Sequence, residues 1–468
     1  MFPSMNIVRK GDILDLDVEK MAYGGRGLVR DDNFVIFVQG AFPGDRVRAV
    51  ITRKKQGFAE ARLQALLSPS PDRVEVRCSH SPYCGGCQWQ ELRYETQLFY
   101  KRNFVRESLS HIGGLEGVPV RSVLPSPRMF QYRNKMEFSF SDRRWLLPEE
   151  LDQEQVDDAF ALGLHVSGSY RKVLAIDVCH LQEQLGNEIL RCVRDFARSS
   201  EAPVYGITSH EGFWRFLTLR HSVFHDQWMV NVVTAEDRPR LMELLTGELT
   251  RRFPSIKTVV NNISRKKASI AVGERERCFF GDGFLEDRIG RFHFRISANS
   301  FFQTNSRAAH LLYDQVVKYA EPKAGDRVLD LYSGTGTIPL YLSDHVEQVV
   351  GMEITESAVR DAERNAGDNG VKNCRFVCGD IRKMLGSFDY RPHVVIVDPP
   401  RAGMHSDVLA RLRELAPERI VYVSCNPATL ARDLECLVRD YRIQEIQPVD
   451  LFPHTYHIEA VAGLVRKG

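Results

Sequence analysis

The sequence lacks the long apolar segments that mark membrane proteins. No run approaches 18 apolar residues, and the N-terminus has no apolar core of the kind found in signal peptides. We therefore expect a soluble, cytoplasmic protein with no membrane partner. The 468 residues also contain no long repeat and no low-complexity tract. Repeat architectures are thereby excluded, and the length predicts about three globular domains.

A strong charge imbalance is also missing. Lysine and arginine together number 63, and aspartate and glutamate 61, so the formal net charge is only +2. The chain as a whole would not attract a polyanion, and any nucleic acid must be bound by local basic patches. Residues 53–58 and residues 132–138 each combine basic and aromatic side chains, so they are the candidate patches.

Ten cysteines occur without a secretion signal, which argues for a reducing compartment and against disulfides. Three of them follow the spacing Cys-x5-Cys-x2-Cys and a fourth lies far downstream: Cys78, Cys84, Cys87 and Cys179. Zinc sites usually show two close pairs, whereas iron–sulfur clusters are held by four thiolates. The pattern favours a 4Fe-4S cluster on these four cysteines, with zinc as the alternative.

The segment from Ser424 to Leu430 places a cysteine between a strand and a helix. An apolar run over residues 420–423 predicts a buried strand. Behind it, Asn426 is a favourable helix N-cap and Pro427 suits the first helical position. Cys425 would then feel the positive end of the helix dipole, which favours the thiolate. We interpret it as a reactive thiol, the alternative being an ordinary buried cysteine.

Residues 327–339 predict a strand, a glycine turn and a helix, and Pro339 stands where a dinucleotide fingerprint requires a third small residue. The next strand ends in Glu353, where a carboxylate can accept hydrogen bonds from ribose hydroxyls. Two further strands lead to Asp380 and Asp398. These acids favour a nucleoside without phosphate, and S-adenosylmethionine fits. The alternative is that each acid only caps a helix.

Five motifs resemble the RNA uracil-5-methyltransferase family, and they lie at residues 302–305, 330–336, 398–401, 424–427 and 452–459. The resemblance implies that S-adenosylmethionine is bound by Gln303, Tyr332, Glu353 and Asp398. Thr337 and Asp380 match weaker family positions. The subgroup that acts on 23S ribosomal RNA has a similar Cys-Gly-Gly-Cys-x-Trp-Gln segment and a 4Fe-4S cluster. Such a cluster is expected to be structural, since methyl transfer moves no electrons.

The chemistry of this family explains why a thiol and a carboxylate are needed. C5 of uracil is a poor nucleophile, and addition of a thiolate to C6 makes it reactive. A base must then remove the C5 proton. The resemblance implies Cys425 as nucleophile and Glu459 as base, with His454 and His457 as weaker competitors for the base. The uridine must be unpaired or flipped out of its helix.

The predicted architecture is a multidomain α/β protein. Residues 1–65 alternate in polarity and are split by glycines, which predicts a small β-barrel that resembles the OB-like, RNA-binding TRAM domain. Residues 66–297 form a central mixed α+β domain with the iron–sulfur cluster, in which residues 91–118 are a helical stretch expected to pack on the catalytic domain. Residues 298–468 form the Rossmann-like, S-adenosylmethionine-dependent methyltransferase domain.

We expect a monomeric methyltransferase that acts on uridine C5 of 23S ribosomal RNA. The same chemistry on transfer RNA is the nearest alternative, and a non-catalytic RNA-binding or ribosome assembly factor is the alternative from another class. A radical methylthiolation enzyme would need Cys-x3-Cys-x2-Cys, which differs from the spacing found here.

Overall fold

The structure is a computed structural model that describes residues 8–31, 34–153, 156–268, 270–387 and 390–468. Residues 1–7 belong to the predicted N-terminal barrel and to the N-terminal segment that has no apolar signal core. They lie outside the described residues. Three large sheets and one hairpin follow one another along the chain. Among the helices of the described residues, none is both long and apolar enough to cross a membrane.

The N-terminal sheet has six strands, and alternate residues of its strands face the core. Its strands are β1 (Ile13–Asp17), β2 (Lys20–Ala22), β3 (Arg26–Asp31), β4 (Phe34–Gln39), β5 (Arg46–Lys55) and β6 (Phe58–Ser68). They lie in the order β1-β5-β6-β4-β3-β2, and only β4 and β6 run parallel. In β4 the first, third and fifth residues are buried, which is the period-two pattern that the sequence predicted.

A long helix, α1 (Tyr94–His111), connects this sheet to the rest of the chain. It packs against a helix and a strand of the C-terminal part, as expected for the helical stretch that begins near residue 91. Its buried face contains Gln97 and Lys101, two polar side chains that need partners in the interior. Their partners lie in the C-terminal part and are described below.

The central part of the chain forms a seven-stranded sheet with two helices. In chain order its elements are β7 (Lys135–Ser141), β8 (Ala161–His165), β9 (Val173–Ala175), α2 (Gln184–Ser199), β10 (Trp214–Ser222), β11 (Gln227–Thr234), α3 (Pro239–Arg252), β12 (Ile256–Ile263) and β13 (Arg275–Phe280). The strand order is β13-β12-β11-β10-β7-β8-β9. Trp214 and Trp228 lie in its core, which also includes Cys84 and Cys179.

A two-stranded hairpin, β14 (Phe284–Ile289) and β15 (Phe292–Ser297), leads into the C-terminal sheet. Its inward residues, Ile289, Phe292 and Phe294, share a core with the helices and strands that follow. The hairpin therefore joins the central and C-terminal parts into one packed unit.

The C-terminal part alternates strands with helices, the pattern of an open α/β sheet. Its elements are α4 (Ser306–Ala320), β16 (Arg327–Leu331), α5 (Thr337–Leu342), β17 (Gln348–Glu353), α6 (Glu356–Asp368), β18 (Cys374–Cys378), α7 (Ile381–Ser387), β19 (Val394–Val397), α8 (Ser406–Leu415), β20 (Arg419–Ser424), α9 (Pro427–Leu437), β21 (Tyr441–Val449) and β22 (Glu459–Arg466).

The order of this sheet is β18-β17-β16-β19-β20-β22-β21. The first five strands are parallel to one another, and β22 runs antiparallel to them. The edge strand β21 is antiparallel to β22, so it has the same direction as the first five. The chain reverses direction of winding between β16 and β19, and ligands of such sheets bind at the carboxyl ends of the strands near that point. The predicted Rossmann-like α/β arrangement is therefore present, and it brings the predicted acids to one edge.

Candidate active site

The boundary between β20 and α9 has the geometry that the sequence predicted. β20 ends at Ser424, and α9 begins at Pro427. The side chain of Asn426 caps the helix by accepting a hydrogen bond from the backbone N–H of Ala428 at 3.1 Å. Its Nδ2 donates to the carbonyl oxygen of Arg401 at 2.9 Å. Asn426 thus holds the turn of residues 424–427, which contains Cys425, against the loop of residues 398–401.

Strand pairing brings Cys425 and Glu459 together. Ser424, the last residue of β20, pairs with Ala460 of the antiparallel strand β22. Cys425 follows Ser424 and Glu459 precedes Ala460, so the thiol and the carboxyl lie side by side at the edge of the sheet. Glu459 is 7% exposed, and Cys425 is half-buried. The two side chains that the sequence analysis paired therefore share one site.

The protonation of Cys425 differs from the expectation. The helix N-terminus was expected to favour the thiolate, but burial raises the pKa of this thiol to about 11, with further increases from the negative charges of Glu459 and Asp398. The positive charge of Arg401 acts in the opposite direction and is too weak to reverse the shift. A helix dipole contributes a fraction of a charge, whereas removal of water and two neighbouring carboxylates act together here.

Burial also raises the pKa of Glu459 well above its usual value, and the nearby Asp398 adds to the effect. Arg401 partly offsets it. A carboxyl whose pKa is raised binds a proton more strongly than a solvent-exposed glutamate does, which makes it a stronger base. This property suits the base that the family resemblance implied.

The two competing histidines are less suited to proton transfer. Burial lowers the pKa of both His454 and His457 to about 4. His454 is also held by α1, because its backbone N–H donates to Gln97 Oε1 at 2.8 Å and its ring nitrogen lies 3.3 Å from Gln97 Nε2. The ring of His457 packs on Tyr456 with centroids 4.3 Å apart. These contacts assign His454 to positioning the loop.

The predicted cofactor residues lie along the same edge. The carboxylate of Glu353 accepts hydrogen bonds from the backbone N–H groups of Gly334 at 3.1 Å and Thr355 at 2.8 Å. Burial raises the pKa of Asp398 to about 7. The glycine turn beside them is built by positive φ angles at Tyr332, Gly334 and Gly336. A Cβ on Gly336 would lie 2.8 Å from the ring of Phe376, so only glycine fits there.

Two predicted residues are joined by a third that the sequence analysis missed. The hydroxyl of Tyr313 donates to Thr337 Oγ1 at 3.2 Å and is also hydrogen-bonded to the side chain of Gln303. Asp380 is different, since its half-buried carboxylate is paired at 2.6 Å with the exposed side chain of Arg382. The structure therefore groups Gln303 and Thr337 tightly and places Asp380 at the margin of the site.

Asp330 is a further buried acid without an assigned role in the sequence analysis. It is 1% exposed, and within the described residues neither of its carboxylate oxygens has a hydrogen-bond partner. Burial raises its pKa well above the usual value, and Asp398 and Glu353 add to this. A buried acid without partners normally costs stability, and titratable groups with perturbed pKa values are more frequent at functional sites than elsewhere. The available signal was its place at the end of β16.

The four predicted metal-ligating cysteines line one cavity of about 300 Å³, although they come from segments far apart in the chain. Burial raises the pKa of each thiol, that of Cys84 to about 12. Across the described ranges no three His, Cys, Asp or Glu side chains lie close enough to hold a metal ion. The structure therefore brings the four thiols to one cavity, and a 4Fe-4S cluster on them stays a prediction.

The cysteine cavity shares a wall with the loop that leads to Glu459. Phe452, Thr455 and His457 line the cavity together with the thiols. The backbone N–H groups of Gln88 and Trp89, just behind Cys87, both donate to the carbonyl oxygen of His454 at 3.0 Å. The cavity and the Cys425–Glu459 site are therefore neighbours, which the sequence spacing did not indicate.

Comparisons with known proteins agree with this geometry. Residues 257–467 match the family described as tRNA (Uracil-5-)-methyltransferase, and residues 8–63 match the TRAM domain. An uncharacterized RNA methyltransferase of Chlorobaculum tepidum is 45% identical over 98% of this chain and 97% of its own length. Another from Porphyromonas gingivalis is 39% identical over 96% and 99%.

A solved structure is similar over nearly the whole chain. It is the crystal structure of Pyrococcus abyssi tRNA (uracil-54, C5)-methyltransferase in complex with S-adenosyl-L-homocysteine. It is 32% identical in sequence, covers 97% of this chain and all of its own chain, and has a TM-score of 0.75. The likeness therefore extends over all three sheets.

Proposed function

We propose that this chain, which belongs to the S-adenosylmethionine-dependent tRNA (uracil-5-)-methyltransferase family of RNA methyltransferases, methylates C5 of a uridine in 23S ribosomal RNA. The observation that carries the proposal is the pairing of Cys425 with Glu459 at the carboxyl edge of the C-terminal sheet. A thiol beside a buried carboxyl, next to a row of acids suited to a nucleoside, provides each group that this reaction requires. The matched TRAM domain is consistent with an RNA substrate.

The first role of the protein is nucleophilic. Cys425 releases its proton to solvent, and the thiolate Sγ forms a bond to C6 of the uracil while the electron pair of the C5–C6 double bond moves into the resulting enolate, which makes C5 nucleophilic. Since burial keeps the thiol protonated in the free protein, addition requires that the proton be taken away when the uridine is in place. Arg401 is the cation that favours the thiolate here, because its charge lowers the pKa of Cys425.

The methyl donor is S-adenosylmethionine, which supplies an electrophilic methyl group for C5. The residues fitted to hold it are Gln303, Tyr332, Thr337, Glu353 and Asp398, with Asp380 at the margin. The backbone around Glu353 holds its carboxylate toward the glycine turn, where ribose hydroxyls would be bound. Asp330 presents two unpaired carboxylate oxygens, so we add it to the binding set.

The second role of the protein is to supply a general base. After methylation C5 carries both a methyl group and a hydrogen, and Glu459 removes that hydrogen as a proton. The electron pair of the broken C–H bond re-forms the C5–C6 double bond, and the Cys425 thiolate leaves. A carboxyl with a raised pKa is a strong enough base for this step and then releases its proton to solvent.

The choice of RNA is the finer part of the proposal. The cysteine segment supports 23S ribosomal RNA, because it resembles the segment of the subgroup that acts on that RNA. Transfer RNA is the second candidate, since the similar Pyrococcus abyssi enzyme acts on uracil 54 of tRNA. We expect that deletion of the gene removes 5-methyluridine from 23S ribosomal RNA and leaves it in transfer RNA. Mass spectrometry of both RNAs is the measurement, and the reverse result would favour tRNA.

We propose further that Cys78, Cys84, Cys87 and Cys179 hold a 4Fe-4S cluster, which would tie the chain near residue 80 to that near residue 179. Their shared cavity supports this. Anaerobically purified protein should be brown and contain about four irons per chain. Cys84→Ser should lose iron and weaken RNA binding more than cofactor binding. Stoichiometric zinc without iron would contradict the cluster and leave the methyltransferase proposal intact.

A further inference from the structure

One turn of the N-terminal barrel reaches the candidate active site. Tyr23 lies between β2 and β3, and its ring meets the ring of Tyr456 edge-on with centroids 5.7 Å apart. A second edge-on contact, at 5.5 Å, joins it to Phe104 of α1. Tyr456 lies three residues before Glu459, in the loop that carries the proposed base. The barrel therefore packs both against α1 and against the loop of residues 450–458, called the catalytic loop from here on.

The turn is fixed in this position by close backbone contacts. The carbonyl oxygen of Gly25 accepts a hydrogen bond from Trp89 Nε1 at 3.2 Å. Gly25 has a φ of +80°, and a Cβ there would lie 3.1 Å from both Trp89 Nε1 and Tyr456 Cδ1. Glycine is thus required for the close approach. Because Trp89 also binds the carbonyl oxygen of His454, the turn, the cysteine loop and the catalytic loop form one packed layer.

The charges around Tyr23 are those of the reaction site. Its hydroxyl is within electrostatic range of Cys425, Arg401 and Glu459, as well as of Tyr456. Burial raises the pKa of Tyr23 to about 12, so the hydroxyl keeps its proton and can donate a hydrogen bond at neutral pH. Yet Tyr23 is 39% exposed. A partly exposed aromatic ring that packs against the loop before Glu459 is suited to contact a base that enters from solvent.

We propose that Tyr23 contacts the target uridine, so that the N-terminal barrel supplies a wall of the substrate pocket of the C-terminal sheet. This inference rests on the proposed uridine methylation. The barrel then has two tasks, since it binds RNA through its surface and completes the pocket through one side chain. A residue of this kind acts on the bound uridine, and its loss slows addition of Cys425 even when RNA is saturating.

The decisive variants are Tyr23→Ala and Tyr23→Phe, with Tyr170→Ala as the matched control. Tyr170 is an exposed tyrosine of the central part of the chain, so it controls for loss of a surface ring. The probes are full-length 23S ribosomal RNA and tRNA transcripts with 5-fluorouridine in place of uridine, which trap the covalent adduct of Cys425 because C5 then carries no removable hydrogen.

At saturating RNA, Tyr23→Ala should form the covalent adduct at least about tenfold more slowly than the wild-type chain. Binding of S-adenosyl-L-homocysteine should stay unchanged. Tyr23→Phe should keep most of the wild-type rate, because it retains the ring. Tyr170→Ala should behave as the wild type. An unchanged rate at saturating RNA for Tyr23→Ala would overturn the inference, even if RNA affinity fell.

A direct measurement needs no variant. The same transcripts with 4-thiouridine, irradiated in complex with the wild-type chain, should crosslink to the tryptic peptide Met21–Arg26, which contains Tyr23. Mass spectrometry identifies the peptide and the attached nucleotide. Crosslinks elsewhere in the barrel without this peptide would refute the contact and leave the methylation proposal standing. Absence of any adduct with either 5-fluorouridine transcript would refute the methylation proposal itself.

Discussion

Asp450 and Glu459 are two buried carboxyls at opposite ends of the loop between β21 and β22, and they differ in the charges that surround them. Asp450 accepts hydrogen bonds from Lys101 Nζ at 2.6 Å and from the hydroxyl of Tyr94 at 2.9 Å. The backbone N–H of Phe452 donates to it at 2.9 Å. Lys101 and Asp450 are both fully buried, so α1 and the loop are joined by a paired charge.

Glu459 has the opposite surroundings. Its nearest charged neighbours include Asp398, which disfavours its ionised form, and Arg401, which is exposed to solvent. The end of the loop at Asp450 therefore stabilises the fold, whereas the end at Glu459 carries the proposed base. An acid with a cation and several donors around it is held in place, whereas the pKa of an acid next to another acid is raised.

The largest effect is expected at the reactive end. Cys425→Ser should abolish turnover, by at least about 1,000-fold, because a hydroxyl is a far weaker nucleophile than a thiolate at neutral pH. Binding of S-adenosyl-L-homocysteine and the midpoint of thermal unfolding should remain close to wild type. Methyl incorporation into RNA with labelled S-adenosylmethionine is the measurement, and near wild-type incorporation would remove Cys425 from its role.

Glu459→Gln should reduce turnover by about 100- to 10,000-fold, the usual contribution of a general base. Addition and methyl transfer would still proceed, so a covalent protein–RNA complex should accumulate as a slow band on a denaturing gel. Cys425→Ser should not form this band. If Glu459→Gln turns over freely, then His457 becomes the next candidate for the base.

The stability of Glu459→Gln tests the same point. The folded-state pKa of Glu459 is raised above its unfolded value, so its contribution to stability is fully present below the unfolded pKa and is lost as the pH rises through the folded pKa. The amide cannot ionise, so the variant should resist unfolding better than wild type at alkaline pH. Equal melting profiles from acid to alkaline pH would contradict the raised pKa.

At the paired end the expected loss is one of stability. Lys101→Met leaves Asp450 buried without its cation, and it should lower the free energy of unfolding by about 3–5 kcal/mol. Urea unfolding is the measurement. The matched control is Lys318→Met, which removes an exposed partner of Glu445 and should cost less than about 1 kcal/mol. Equal losses in the two variants would mean that the buried pair does not hold the loop.

The last prediction concerns pH and needs no variant. Since the pKa of Cys425 is about 11, its thiolate fraction in the free protein rises about tenfold per pH unit between pH 7 and 9. The rate of adduct formation with RNA containing 5-fluorouridine should rise in proportion. A rate that does not change over this range would show that bound RNA lowers the pKa of the thiol. Binding of S-adenosyl-L-homocysteine, measured in parallel, should lack this slope.

Local features of the site were predictable from the sequence. The end of β20, the cap by Asn426 and the helical start at Pro427 depend on neighbouring residues and on apolar periodicity, and they agree with the prediction. The strand that ends at Glu353 agrees for the same reason. The raised pKa of Cys425 was not predictable, because it comes from burial and from Glu459 and Asp398, which are near only after folding.

The sequence by itself determined the alternation of strands and helices in the C-terminal part, the thiol at a strand end and the series of acids, because these depend on short-range pattern. Only the tertiary structure decided which buried groups are paired. Lys101 and Asp450 are 349 residues apart in the chain, and Tyr23 meets Tyr456 from another sheet. Desolvation and charge interactions are sums over all spatial neighbours, so the division between a stabilising acid and a reactive acid arises only when the sheets pack.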